Sequence, residues 1–309
     1  MREGDPNGLR SLADSLNSNR TFLYHLGISK DVKRSTISYA NSTRNPEVFE
    51  RLFYKILGTL DRGRRKKFRK DFFAVDATEI SLSMNDFPWA EFRSTKSGVK
   101  INMKYDINNS VPDYLFITNA KEYENNTLDK MRLKRGDTVA IDKGYCNYER
   151  FGSCCDQEIL FVTRLKDNAR YEVVESRRVK SIDEKTGKSI VILTNDFSVS
   201  AEYIAKMYRA RWNIEICFKT LKQNLEIEKF FGESENAVKA QIWIALIVYL
   251  LYLRLRQLTA FSNKNFPSFI CELRVCIFDR RNLFGWFSLS PPDEKPKLSL
   301  DCIQGELGL

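Results

Sequence analysis

The chain has 309 residues, enough for one large domain or two modest ones, and its 50 Lys and Arg against 40 Asp and Glu leave a formal charge of +10. Such a surplus suits a polyanion, because neutralised phosphates release counterions, and with 43% hydrophobic and 12% aromatic residues the chain is globular rather than a disordered basic tail. The single histidine, His25, excludes His-based triads and multi-His zinc sites, and seven cysteines without a CxxC pair argue against a zinc ribbon or a secreted disulfide framework.

The N-terminus lacks the apolar core of a signal peptide, and the cysteines read as reduced and cytoplasmic. Residues 7–60 read as helical, with a good amphipathic stretch at 47–57. The densest charge run follows at 62–70, with seven cations in nine residues. It is either a solvated linker or a phosphate contact, and Phe68 within it is placed to stack on a base. Strands come next: an apolar run at 72–76 ending in Asp76, the alternating 99–105, and 114–118. A helix-sized polar segment at 126–133 precedes a fourth strand, 137–142, which also ends in Asp. Residues 147–157 read as a helix and 159–163 as a fifth strand. Residues 171–196 are strand-like but polar between Arg177 and Lys188. From Ser200 the pattern is helical, about 200–225 and then 234–259. The apolar run 242–253 is too short to span a bilayer and fits a buried helix. The tail from Pro291 reads as loop.

Two strands of one sheet, each ending in Asp, can bring Asp76 and Asp142 together across the chain. That builds a divalent-metal site without histidine, since Mg²⁺ and Mn²⁺ favour oxygen ligands. Asp at a strand end is also ordinary turn chemistry, so a third element is needed. It lies in the helix after Ser200, where Tyr208, Arg211, Glu215 and Lys222 stand at offsets that fall within one ~60° arc at ~100° per residue. Met207, Ala210, Ile214, Phe218, Leu221 and Leu225 form an adjoining stripe by which the helix docks. The plain alternative is a solvated helix face carrying an Arg211–Glu215 pair.

This Y-(2)-R-(3)-E-(6)-K spacing resembles the signature of the insertion-sequence-4 family of bacterial DDE transposases at all four positions. Val75-Asp76-Ala77-Thr78 and Ile141-Asp142-Lys143-Gly144-Tyr145 resemble that family's two Asp motifs, and the likeness runs from about Ser15 to Gln257. It implies an RNase H-like α/β fold: a mixed sheet flanked by helices, with a small β-rich insertion and a helical N-terminal region. In it Asp76, Asp142 and Glu215 would hold two Mg²⁺ ions, with Mn²⁺ able to substitute, while Tyr208, Arg211 and Lys222 contact DNA near the cleaved end. The implied reaction is hydrolysis at the transposon end, then attack of the freed 3′-hydroxyl on target DNA. The partners implied are double-stranded DNA and a second copy of the chain, with no membrane, in the bacterial cytoplasm at the nucleoid. The expected plan is a helical region with the basic run at 1–70, shorter than the family's; a catalytic core at 71–260 with a short insertion around 165–198; and a tail at 261–309. Two alternatives stay open: a transposase-derived DNA-binding protein without activity, and an RNase H-like nuclease without strand transfer. His25, Cys154, Cys155 and Cys217 read as packing residues.

Overall fold

The computed structural model describes residues 8–24, 27–62, 67–93, 96–121, 127–145, 148–165, 176–182, 187, 189–258 and 265–276. His25, Cys146, Cys302, most of the cationic run between Arg62 and Lys67, and the tail from Pro291 lie outside them. The chain forms two compact units, Ser38–Leu250 and the pair Met1–Ile37 with Leu251–Leu309.

In the smaller unit, α1 (Leu9–Ser18) and the single turn α2 (Arg20–Leu23) are tied to the segment that follows. The Asn17 amide donates to the Val32 carbonyl at 3.1 Å and accepts from its N–H at 2.7 Å, and Arg20 pairs with Asp31. Near the other end of this unit α9 (Phe266–Cys276) presents Phe266 and Phe269 to Tyr252, with ring centroids 4.9 and 5.1 Å away.

The larger unit is built on one mixed sheet, of eight strands among the described residues. In chain order these are β1 (Phe72–Leu82), β2 (Glu91–Arg93), β3 (Lys96–Asp106), β4 (Val111–Asn119), β5 (Thr138–Ile141), β6 (Leu160–Arg164), β7 (Arg177–Ile182) and β8 (Ser189–Thr194). The spatial order is β2-β3-β1-β5-β6-β8-β7, with β4 also on β3. β1, β3 and β4 form an antiparallel meander, and β5 and β6 run parallel to β1. The Thr-Val-Ala-Ile of β5 is buried throughout, as a central parallel strand covered on both faces requires. This is the RNase H-like mixed sheet that the resemblance implies.

Pairing register decides which residues share a face. Val75 stands opposite Lys104, and Ala74 opposite Tyr105, so alternation puts Val75 on one side and Ala74 and Asp76 on the other. On the Val75 side α5 (Tyr148–Asp156) closes a core in which Phe151 stacks on Phe161 at 4.5 Å, over Val139, Ile141 and Met131. On the opposite side Tyr105 is hydrogen-bonded to Tyr249, and Tyr249 to Cys217. These belong to α8 (Glu235–Leu258) and α7 (Trp212–Asn224), which therefore cover the Asp76 face. The amphipathic stretch at 47–57 is α4 (Glu47–Leu57), which follows α3 (Arg34–Thr43) in the chain and is docked through Phe53 and Tyr54 on Trp243.

Three expectations are corrected. β1 does not end at Asp76: Thr78, Ile80 and Leu82 continue the ladder on β3, so the carboxylate sits mid-strand. The helix expected over 200–225 is two, α6 (Ala201–Ala210) and α7, separated at Arg211. The polar segment at 126–133 holds only a 3₁₀ turn, Leu128–Met131, ended by Arg132 in the left-handed region at φ 52°. Within the stretch expected as a β-rich insertion, β7 and β8 pair with each other and join the main sheet through β8 on β6. The helix expected over 234–259 is α8; over Glu235–Gln257 it is long and apolar enough by composition to cross a membrane, and 56% of its most apolar window is buried in the protein.

The described residues at the two ends of the cationic run are tied down. Arg62 pairs with Asp113 at 2.8 Å, Lys67 donates to Ser110 and Lys70 faces Asp196 at 3.8 Å. Phe68 is buried against Phe72 and Tyr203, with ring centroids 4.8 and 5.8 Å away, and its N–H donates to Asn108, so it is an anchor and not a stacking platform. Phe68→Ala is expected to cost about 3–5 kcal/mol of stability, measured by denaturant unfolding. A loss under ~1 kcal/mol would contradict this role.

Candidate active site

Three elements converge on the α7-covered face of the sheet. Parallel pairing places Val75 beside Ile141, so the next residues along β1 and beyond β5, Asp76 and Asp142, stand side by side. The third element is the junction of α6 and α7. Ser200 caps α6 by accepting from Tyr203 N–H at 3.2 Å. The helix then tightens: Arg211 N–H reaches Tyr208 at 3.2 Å instead of continuing the four-residue ladder, and the Asn213 side chain takes the Ala210 carbonyl at 2.7 Å. Ile214, Cys217, Phe218 and Leu221 are buried on α7, which packs on β1 and turns Glu215 toward Asp76.

The centre of this arrangement is the Arg211 guanidinium. Its Nη2 lies 2.6 Å from Glu215 Oε1 and 3.9 Å from Asp142 Oδ1, while its Nη1 lies 3.4 Å from Asp76 Oδ2. The Arg211 side chain is only 9% exposed. Among the described residues its Nε is buried without a hydrogen-bond partner. Also among the described residues, no three acidic, thiol or imidazole groups stand close enough together to hold a metal ion. The three acids thus meet around a cation that the chain itself supplies.

Burial dominates the electrostatics of Asp76 and pushes its carboxyl up to about 6, an effect that Glu215 and Asp142 reinforce and that the Ala77 N–H and Arg211 oppose. Burial disfavours the charged form of Arg211, but the hydrogen bond to Glu215 and the fields of Asp76 and Glu215 outweigh it and leave the guanidinium raised. Burial also raises the Tyr208 hydroxyl, against the pull of Arg211. The Tyr208 ring lies 5.9 Å from that guanidinium.

An open cavity of about 450 Å³ adjoins the acids, lined by Asp76, Thr78, Glu215, Lys219 and Lys222 among others. Asp142 is not part of its wall. Lys222 donates to the Glu79 carbonyl at 2.7 Å and pairs with Glu228 at 3.4 Å, so a phosphate there would have to take it from Glu228. Lys219 and Gln223 share this wall and were not singled out from the sequence. Lys219, four residues after Glu215, could have been found by extending the helical stripe. The oxygen-only donor set of Asp76, Asp142 and Glu215 fits a hard divalent cation in chemistry.

A meander with two parallel strands, with one acid on β1, a second just beyond β5 and a third on a helix beside them, is an RNase H-like arrangement. A family model described as a transposase DDE domain matches residues 67–251, and the chain belongs to that family. It is 31% identical to a putative transposase, y4zB, of Sinorhizobium fredii, over 79% of this chain and 77% of that one. It is 28% identical to a probable transposase for insertion sequence element IS5377 of Geobacillus stearothermophilus, over 78% of this chain and 72% of that one. Among solved structures, the piggyBac transposase synaptic complex with hairpin DNA is 11% identical, with a TM-score of 0.43 over 87% of this chain and 63% of that one. The protein is thus a transposase of an insertion element, an enzyme that acts on DNA, and domains of this family generally use a divalent metal.

Proposed function

We propose that Asp76, Asp142 and Glu215 are the metal ligands of this transposase and that they hold two Mg²⁺ ions, for which Mn²⁺ can substitute. The supporting observation is their convergence on one cation, from two adjacent parallel strands and a helix. When bound, such ions supply Lewis-acid stabilisation of charge at a phosphorus undergoing in-line displacement. The chain's own residues position the substrate. Lys222, at the groove wall, and Tyr208 and Arg211, at the helix junction, contact phosphates near the cleaved end.

The reaction has two displacements. Water attacks phosphorus at the element's end and the P–O3′ bond breaks, leaving a 3′-hydroxyl. That hydroxyl then attacks a target phosphate and displaces the adjoining 3′-oxygen, joining element to target. Two ends must be handled together, and we infer a homodimer on DNA, acting in the bacterial cytoplasm at the nucleoid.

The test is incubation of the purified chain with Mg²⁺ and duplexes carrying the element's terminal sequences. Nicking followed by joining of the 3′ end to a second duplex is expected. Nicking without joining would make the protein a nuclease without strand transfer, and binding without nicking would make it an inactive derivative. Lys222→Ala is expected to weaken DNA binding uniformly across sequences and to reduce the slope of log K against log salt by about 1. An unchanged slope would remove Lys222 from the phosphate contacts.

A further inference from the structure

An arginine surrounded by three acids, nearly excluded from water, with one donor left unpaired, is held for its charge more than for a complete set of hydrogen bonds. Its guanidinium donates to Glu215 at 2.6 Å and lies 3.4 Å from Asp76 and 3.9 Å from Asp142. Its buried Nε finds no partner among the described residues. The acids are spaced around it, and no set of three among the described residues can take an ion as they stand. Arg211 also occupies the break between α6 and α7, where the ladder already shortens. At such a position a long side chain can change its aim without costing either helix its hydrogen bonds.

The Arg211 guanidinium already stands on oxygens of all three acids, so a divalent ion that takes those oxygens must displace it, against a repulsion that grows as the local dielectric falls. Resting on the reading of Asp76, Asp142 and Glu215 as metal ligands, we propose that Arg211 is the resident counter-cation of the metal-free site. A divalent ion enters as the guanidinium leaves the acids, and the displaced guanidinium is then available to a DNA phosphate beside the site. Arg211 is a positioning residue in this scheme: it keeps three like charges assembled before metal arrives. Linkage requires reciprocity, so whatever draws Arg211 away from the acids tightens metal binding.

The experiment is calorimetric titration of the full chain with Mn²⁺, without DNA, for wild type, Arg211→Gln, Asp76→Asn and Glu215→Gln. Arg211→Gln is expected to bind Mn²⁺ about tenfold more tightly than wild type, and its metal-free form to melt at a lower temperature. Binding is expected to be lost in Asp76→Asn and Glu215→Gln. If the two acid variants lose binding while Arg211→Gln binds no more tightly than wild type, the counter-cation proposal is overturned and the ligand assignment stands. If the acid variants bind as wild type does, the ligand assignment fails and takes the proposal with it. Should Arg211→Gln not fold, the wild-type chain still decides. Its Arg211 Nε–H resonance is expected to be protected from exchange without metal and to lose that protection on Mg²⁺ titration. A resonance still protected at saturating Mg²⁺ overturns the proposal.

Discussion

Asp76→Asn, Asp142→Asn and Glu215→Gln are each expected to abolish strand cleavage, lowering the rate by at least ~10³-fold, or roughly 4 kcal/mol of transition-state stabilisation, while DNA affinity stays within a few-fold of wild type. The substitutions are nearly isosteric, so packing on the sheet survives. What disappears is one anionic oxygen donor, and with it a ligand for a hard cation. Binding is expected to persist because the cations proposed to contact phosphates are separate side chains. Gel assays of nicking and of mobility shift on the same preparations make the comparison. Substantial cleavage by any one variant would remove that residue from the site.

The second large effect concerns stability. The Asp76 carboxyl titrates at about 6 in the folded, metal-free chain, against 3.8 for its unperturbed form, and the leading cause is burial. Because the folded pKa lies above the unfolded one, the folded state holds the extra proton between pH 3.8 and about 6. The stabilisation linked to that proton is complete below pH 3.8 and is lost as pH rises through about 6. Above that window the ionised Asp76 burdens the fold by an amount on the order of 3 kcal/mol. Asp76→Asn is therefore expected to be more stable than wild type at pH 7.5 in a chelator by about that amount, and to lose the advantage near pH 4. Urea unfolding at the two pH values measures the difference. A variant less stable than wild type at pH 7.5 would show that the Arg211 contact outweighs the burial of the charge. Mg²⁺ is expected to raise the melting temperature of wild type and to leave Asp76→Asn nearly unmoved.

These expectations join stability to function through one feature, a concentration of negative charge that the fold tolerates because a guanidinium partly neutralises it. Catalytic acids in many proteins carry such a cost. Here the compensating cation comes from the same helix junction that supplies the third acid.

The nearness of Tyr208, Arg211 and Glu215 was legible because helix periodicity is local: residues three and four apart lie close together across most of a helix whatever the rest of the chain does. For the same reason the amphipathic α4 was found at its observed bounds, Glu47–Leu57. The break at Arg211 was not legible. That residue keeps right-handed helical dihedrals, φ −51° and ψ −33°, and no Gly or Pro marks the interruption. Phe68 misled because seven neighbouring cations suggest solvent, whereas its burial against Phe72 and Tyr203 depends on strands and a helix distant in sequence.

Residue order by itself determined most of the elements, the charge and the acids available for chemistry, since propensity, alternation and helical spacing are set by near neighbours. Only the tertiary structure decided that Asp76 and Asp142 stand adjacent, that β1 runs on past its carboxylate, that β7 and β8 extend the sheet, and that Arg211 sits among the acids. Each of those depends on strand register or on which helix packs over which strand. Such pairings are chosen by the burial of whole faces at once, and no stretch of a few residues encodes them.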